Sequence, residues 1–151
     1  MGKRVLITGL GTFWGGRVAQ ALERDPEVDV IVGLDTVEPK VQLERTEFVR
    51  ADQSYSILAR IVKATKVDTI VHTFLVVDST MMRGRTMHEI NVIGTMNLFA
   101  AAGAPGSTVR DVVGLLELLR DAAAPEGAQP GDEDPASHQP DHTLRRARSM
   151  S

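Results

Sequence analysis

KRVLITGLGTFWGG, residues 3–16, runs from an apolar stretch into a glycine-rich turn. Lys3 to Thr8 is apolar and β-branched, which reads as a buried strand. The glycines lead into a helix expected from about Trp14 to Arg24 and stopped by Asp25–Pro26. A glycine turn between a strand and a helix is where a phosphate-binding loop has to sit. Glycines let the backbone bend tightly and let a diphosphate approach the helix N-terminus, where free N–H groups and the helix dipole stabilise an anion. A glycine-rich turn with no ligand is the competing reading, and the strand–turn–helix context favours a nucleotide site.

The pattern repeats outward from that turn. Val28 to Asp35 reads as a second strand and Glu47 to Ala51 as a short third. Ser54 to Ala64 reads as a helix with Ile57, Leu58, Ile61 and Val62 on one face. Val67 to His72 is a fourth strand. A longer helix is expected from about Met87 to Ala102, opened by a Thr86/Glu89 capping box and closed by Gly103 and Pro105. Val109 to Val113 begins a fifth strand. Strands alternating with helices predict an α/β fold: a Rossmann-like, doubly wound parallel sheet, here incomplete with about four to five strands.

Asp35 ends the second strand, about 20 residues after Gly15. A carboxylate there accepts hydrogen bonds from the hydroxyls of an adenosine ribose and repels a 2′-phosphate, which favours NAD over NADP. The plain alternative is a strand-terminal Asp in a turn, and Arg17 or Arg45 would weaken the NAD preference if either reached the same pocket. Asp52, after the third strand, either meets an adenine edge or caps the following helix.

Composition narrows the classes. The 151 residues carry a net charge of −3, which argues against nucleic-acid binding through a broad basic surface. Cysteine is absent, so disulfides and thiolate chemistry are excluded. No apolar run reaches the length of a membrane span. The N-terminus matches neither a signal peptide nor a myristoylation motif, and a cytoplasmic chain is the default expectation. His72 and His88 lack nearby paired carboxylates, which argues against a metal site.

The last quarter differs in kind. All six aromatic residues lie before position 100, and Val, Ile, Phe, Tyr, Trp, Lys and Asn are all missing after Val113. The division read from this is a nucleotide-binding domain over 1–113, a possible short helix over 114–124 and a disordered tail over 125–151. The Ala/Pro/Gly/Arg/Asp bias after Val113 is of the kind that out-of-frame reading of GC-rich DNA yields, so a truncated gene product is expected. Such a product would leave a strand edge and apolar surface uncovered and prone to self-association.

The glycine turn, Asp35, the Val-Asp-x-x-Val-His strand and above all Asn91–Val92–Ile93–Gly94–Thr95–Met96–Asn97–Leu98 resemble the extended short-chain dehydrogenase/reductases. Among them the NAD-dependent nucleotide-sugar epimerase/dehydratases are most similar. The resemblance implies that Gly9, Gly15 and the backbone around Phe13 and Trp14 hold the diphosphate, with Gly11 and Thr12 completing the turn. It implies that Asp35 holds the adenosine ribose and Asp52 the adenine, and that Asn91 organises the active-site helix. A polar helix-face residue bonded to a neighbouring backbone group is the alternative for Asn91.

Three departures stand out. Thr12 replaces a glycine of the family turn. Thr73, Phe74 and Leu75 follow His72 where the family has small residues, and their bulk would crowd the cofactor. The family's Tyr-x-x-x-Lys acid–base pair has no counterpart, since the one tyrosine, Tyr55, is followed four positions on by Ala59, and the last lysine is Lys66. Two functions therefore stay open. One is the dinucleotide-binding part of an epimerase/dehydratase acting on a nucleotide sugar, without its catalytic pair. The other is a non-catalytic NAD-binding sensor or interaction module. An S-adenosylmethionine enzyme shares the glycine turn and acidic strand end, but the Asn91–Leu98 stretch argues against it.

Overall fold

A computed structural model of the chain describes residues 1–76, 78, 80–115 and 117. Five strands form one sheet: β1 (Lys3–Thr8), β2 (Val28–Asp35), β3 (Thr46–Arg50), β4 (Thr69–His72) and β5 (Asp111–Gly114). Their order is β3-β2-β1-β4-β5, and every pairing is parallel. The direction of winding reverses between β1 and β4, which makes the C-terminal end of β1 the switch point of the sheet. The Rossmann-like reading therefore holds, with all five strands formed.

Period-two alternation in β1 sends side chains to two cores. Val5 and Ile7 pack with Leu10, Val28, Ile31, Val71 and Ala19 of helix α1 (Phe13–Glu23). Leu6 packs on the opposite face with Val32, Leu34 and Ile70. That second core is closed by Leu58 and Val62 of α2 (Tyr55–Thr65) and by Leu98 and Ala101 of α4 (Thr95–Ala102).

Two corrections concern the long helix. It starts at Gly84, not near Met87, and its first segment is α3 (Gly84–His88). Thr86 consequently lies inside the first turn, and no Thr86/Glu89 capping box forms, since the capping position belongs to Arg83. Glu89 pairs instead with Arg85, one turn earlier, at 3.2 Å. Between α3 and α4 the chain makes a π-helical turn over Glu89–Gly94. Gly114 of the expected 114–124 helix closes β5. Apart from Leu115 and Glu117, the rest of that helix and the whole 125–151 tail lie outside the described residues.

Candidate functional site

The glycine turn is shaped by close backbone approach. Gly9 has φ +82°, and a Cβ on it would lie 2.6 Å from the backbone nitrogen of Phe74. A Cβ on Gly15 would overlap the Gly9 carbonyl oxygen, and one on Gly11 would meet the Val37 carbonyl at 2.6 Å. Thr12, the departure from the family turn, supplies a cap. Its Oγ1 accepts from the Gly15 N–H at 3.0 Å and donates to the Gly9 carbonyl at 2.7 Å. The Gly16 N–H is taken by the Thr12 carbonyl. The N–H groups of Phe13 and Trp14 are thereby left as the unpartnered donors of the first turn among the described residues.

Asp35 is buried, and its carboxylate ties the β2 end to this turn. Oδ2 accepts from the Gly11 N–H at 2.9 Å, and Oδ1 accepts from the Thr36 and Val37 N–H groups at 2.6 and 3.2 Å. Among the described residues neither arginine pairs with the Asp35 carboxylate. Arg17 lies over the Phe13 ring, 5.0 Å from its centroid, and Arg45 donates to the carbonyls of Glu23 and Val28 at the opposite end of β2.

A cavity of about 400 Å³ opens beside Asp35. Thr36, Asp52, Gln53 and Phe74 line it on the strand side, and Ile90, Ile93 and Gly94 of the π-helical turn face them. Asp52 faces the cavity and also accepts from the Ser54 N–H at 2.9 Å, which holds its carboxyl below the usual range. The capping position of α2 belongs to Ser54, so Asp52 is not the helix cap that was one of its two expected roles. Its carboxylate bonds the N–H of the cap residue instead and faces the cavity. Gln53 Oε1 is buried without a partner, an acceptor that sequence reasoning missed.

Two polar clusters brace the site from beneath. Thr95 Oγ1 donates to the Asn91 carbonyl at 2.7 Å, so it accepts from His72 Nε2 at 2.9 Å. His72 Nδ1 is then the acceptor for Thr8 Oγ1 at 2.6 Å. Burial holds the imidazole below its ordinary pKa, consistent with this neutral tautomer. With both ring nitrogens engaged by hydroxyls, His72 is a structural link between β1, β4 and α4. Asn91 forms the second cluster. Its side chain accepts from the Val76 N–H at 2.8 Å and donates to the Val76 carbonyl at 2.7 Å, clamping the segment after β4 onto the π-helical turn. His88 is exposed at the end of α3.

With this geometry in place, comparison with known proteins is decisive. The model of the NAD dependent epimerase/dehydratase family matches residues 5–143. The chain belongs to that family. As a member of the epimerase/dehydratase family it matches beyond Val113, where the recognisable motifs stop. Uncharacterised proteins of Mycobacterium tuberculosis and Mycobacterium bovis are 32% identical over 148 residues, covering 91% of this chain. The chain spans 38% of the length of these relatives.

Among solved structures, a UDP-glucose-4-epimerase from Stenotrophomonas maltophila, with bound NAD and formylated UDP-arabinopyranose, superposes with TM-score 0.63 at 17% identity. It matches 74% of this chain and 36% of its own, and establishes likeness of fold. The Bordetella bronchiseptica enzyme WbmH, in complex with NAD⁺, gives TM-score 0.53 at 25% identity over 68% of this chain and 36% of its own. Among the described residues no helix is long and apolar enough to cross a membrane.

Proposed function

We propose that this chain is the dinucleotide-binding part of an NAD-dependent epimerase/dehydratase acting on a nucleotide sugar. The observation that carries the reading is the pair of unpartnered N–H groups, Phe13 and Trp14, at the N-terminus of α1, beside the Asp35 carboxylate. A diphosphate satisfies those donors and is stabilised by the helix dipole. Adenosine then falls in the cavity between Asp35 and Asp52, with its ribose at Asp35 and its base at Asp52. Asp35 and the Val37 carbonyl beside Gly11 both repel a 2′-phosphate, which sets NAD above NADP. When bound, NAD would supply hydride transfer.

Titration calorimetry with NAD, NADP and S-adenosylmethionine tests this. Saturable NAD binding is expected, with NADP weaker and S-adenosylmethionine silent. Asp35→Asn weakens NAD by about tenfold, the loss of a charge-assisted hydrogen bond. No NAD binding to folded protein, or NAD binding indifferent to Asp35→Asn, defeats the reading.

A second reading, a non-catalytic NAD-binding sensor or interaction module, is favoured by the lack of a Tyr-x-x-x-Lys pair in these 151 residues. Tyr55 is half-exposed at the start of α2, remote in sequence from any lysine at the required spacing. Turnover of a UDP-sugar by the purified chain with NAD separates the two: measurable turnover excludes the sensor.

A further inference from the structure

The polar side chains around the cavity beside Asp35 are, with one exception, already committed. Asp35 accepts from the Gly11, Thr36 and Val37 N–H groups, and Thr36 Oγ1 donates to it as well. Asp52 and Ser54 bond each other, and Glu89 pairs with Arg85. Asn97 Nδ2 donates to the Gln53 backbone carbonyl at 3.0 Å. The exception is the Gln53 carboxamide, whose side-chain atoms make no hydrogen bond among the described residues and whose Oε1 is buried.

The fold makes a place for this amide. Gln53 follows Asp52 in the link from β3 to α2, so the two line the cavity from adjacent positions. Asn97 fixes its main chain. Gly94, three residues before Asn97, leaves room for its side chain: a Cβ there would stand 2.9 Å from Oε1 and 3.2 Å from Cδ. Two residues of the Asn91–Leu98 stretch thus serve one glutamine. A buried amide oxygen without a donor is destabilising, and a ligand that brings a donor removes the penalty. Oε1 lies in the cavity wall. The amide can turn toward a ligand about Cγ–Cδ, a broad torsion, without breaking any hydrogen bond.

Asp52 and Gln53 place two acceptors at neighbouring positions, and an exocyclic amino group carries two hydrogens. We propose that Gln53 is a specificity-determining residue: its carboxamide oxygen accepts one hydrogen of the adenine 6-amino group while Asp52 accepts the other, so that the site selects adenine over a 6-oxopurine. The inference rests on the placement of adenine at Asp52 in the proposed function. An oxo group at C6 sets acceptor against carboxylate at Asp52, and turning the Gln53 amide to donate relieves only its own half of the mismatch.

Calorimetry comparing NAD with nicotinamide hypoxanthine dinucleotide, which has an oxo group in place of that amino group, tests this. Wild type is expected to prefer NAD by about tenfold or more. Gln53→Met, similar in shape but without the amide, is expected to shrink that preference by at least about threefold, and Gln53→Leu serves if the methionine variant does not fold. Gln53→Glu, which keeps an acceptor and gives up the donor, retains the preference. The ratio of the two affinities is the readout, because a general loosening of the cavity weakens both ligands alike. Equal binding of the two dinucleotides to wild type, a ratio unmoved in Gln53→Met and Gln53→Leu, or a preference lost in Gln53→Glu overturns the proposal and leaves the NAD reading intact. Failure of folded wild type to bind either dinucleotide overturns the two together.

Discussion

A Cβ on Gly15 would overlap the Gly9 carbonyl oxygen, and the obstacle is backbone on both sides. No rotamer change relieves such a clash, so the turn itself must open. Gly15→Ala is expected to cost about 2 kcal/mol or more of stability, read as a lowered urea midpoint, and to abolish NAD binding. His72 makes a prediction of a different kind. Its folded pKa lies below the unfolded value because burial penalises the charged ring, so the unfolded chain binds the extra proton first. The neutral ring's contribution is complete above the ordinary histidine value of 6.5 and is lost as pH falls from there toward the lowered folded value. Glu23, Asp52 and Asp78 have lowered carboxyl pKa values and act only below their ordinary 4.5 and 3.8. Melting temperature followed between pH 5 and 7 is thus expected to fall with acidification in wild type, and to flatten in His72→Gln. An equal slope in the variant assigns the effect elsewhere.

Elements meet through contacts that no local pattern announces. Glu23, the last residue of α1, accepts from the N–H groups of Glu44, Arg45 and Thr46 at 2.8 to 2.9 Å and from Thr46 Oγ1 at 2.8 Å. Partial burial raises its pKa, but these donors outweigh that and draw it below the ordinary value. Glu23→Ala leaves three backbone donors without the carboxylate and frees the entry to β3. Faster amide exchange at Thr46 is expected, with a stability loss of about 1–3 kcal/mol in a denaturant titration. An unchanged Thr46 exchange rate would show that β3 is held without it. Nothing in the residues around position 23 marks such a hub, because its partners come from a loop more than 20 positions away. The strands were legible for the opposite reason. Val5-Leu6-Ile7 and Val30-Ile31-Val32 declare burial by composition alone, and the glycines of the first turn declare their bend. Asp35 was legible as a strand-end carboxylate, but its capture of the Gly11 N–H was not. Thr86 and Glu89 misled because their spacing satisfies a capping box, while Arg83 and Gly84 begin the helix one turn earlier without any side-chain cap. The π-helical turn over Glu89–Gly94 coincides with side chains bonded to other elements, Asn91 within it to Val76 and Thr95 just after it to His72.

The molecule as a whole is unevenly covered. One face of the sheet carries α2 and α4, and the other carries α1 over β1 and β2. β5 is an edge strand, and no residue in it is fully buried. On the outer side of the helical run, Val92, Met96 and Phe99 recur at spacings of four and three and are 40, 63 and 57% exposed. That spacing makes them one stripe, and among the described residues nothing covers it. An exposed apolar stripe of this kind drives association, because burying it against any apolar surface removes it from water. The sedimentation coefficient of the wild-type chain is therefore expected to rise with concentration. Met96 and Phe99 do not line the cavity beside Asp35, so Met96→Lys combined with Phe99→Lys is expected to restore a concentration-independent monomer and to leave NAD affinity within about twofold. The charges act on the stripe alone, since a β5 edge offered to another strand would still be open in that variant. Association that persists in the double variant would accordingly move the contact to β5, where a single Val112→Pro, removing a ladder donor, becomes the deciding substitution.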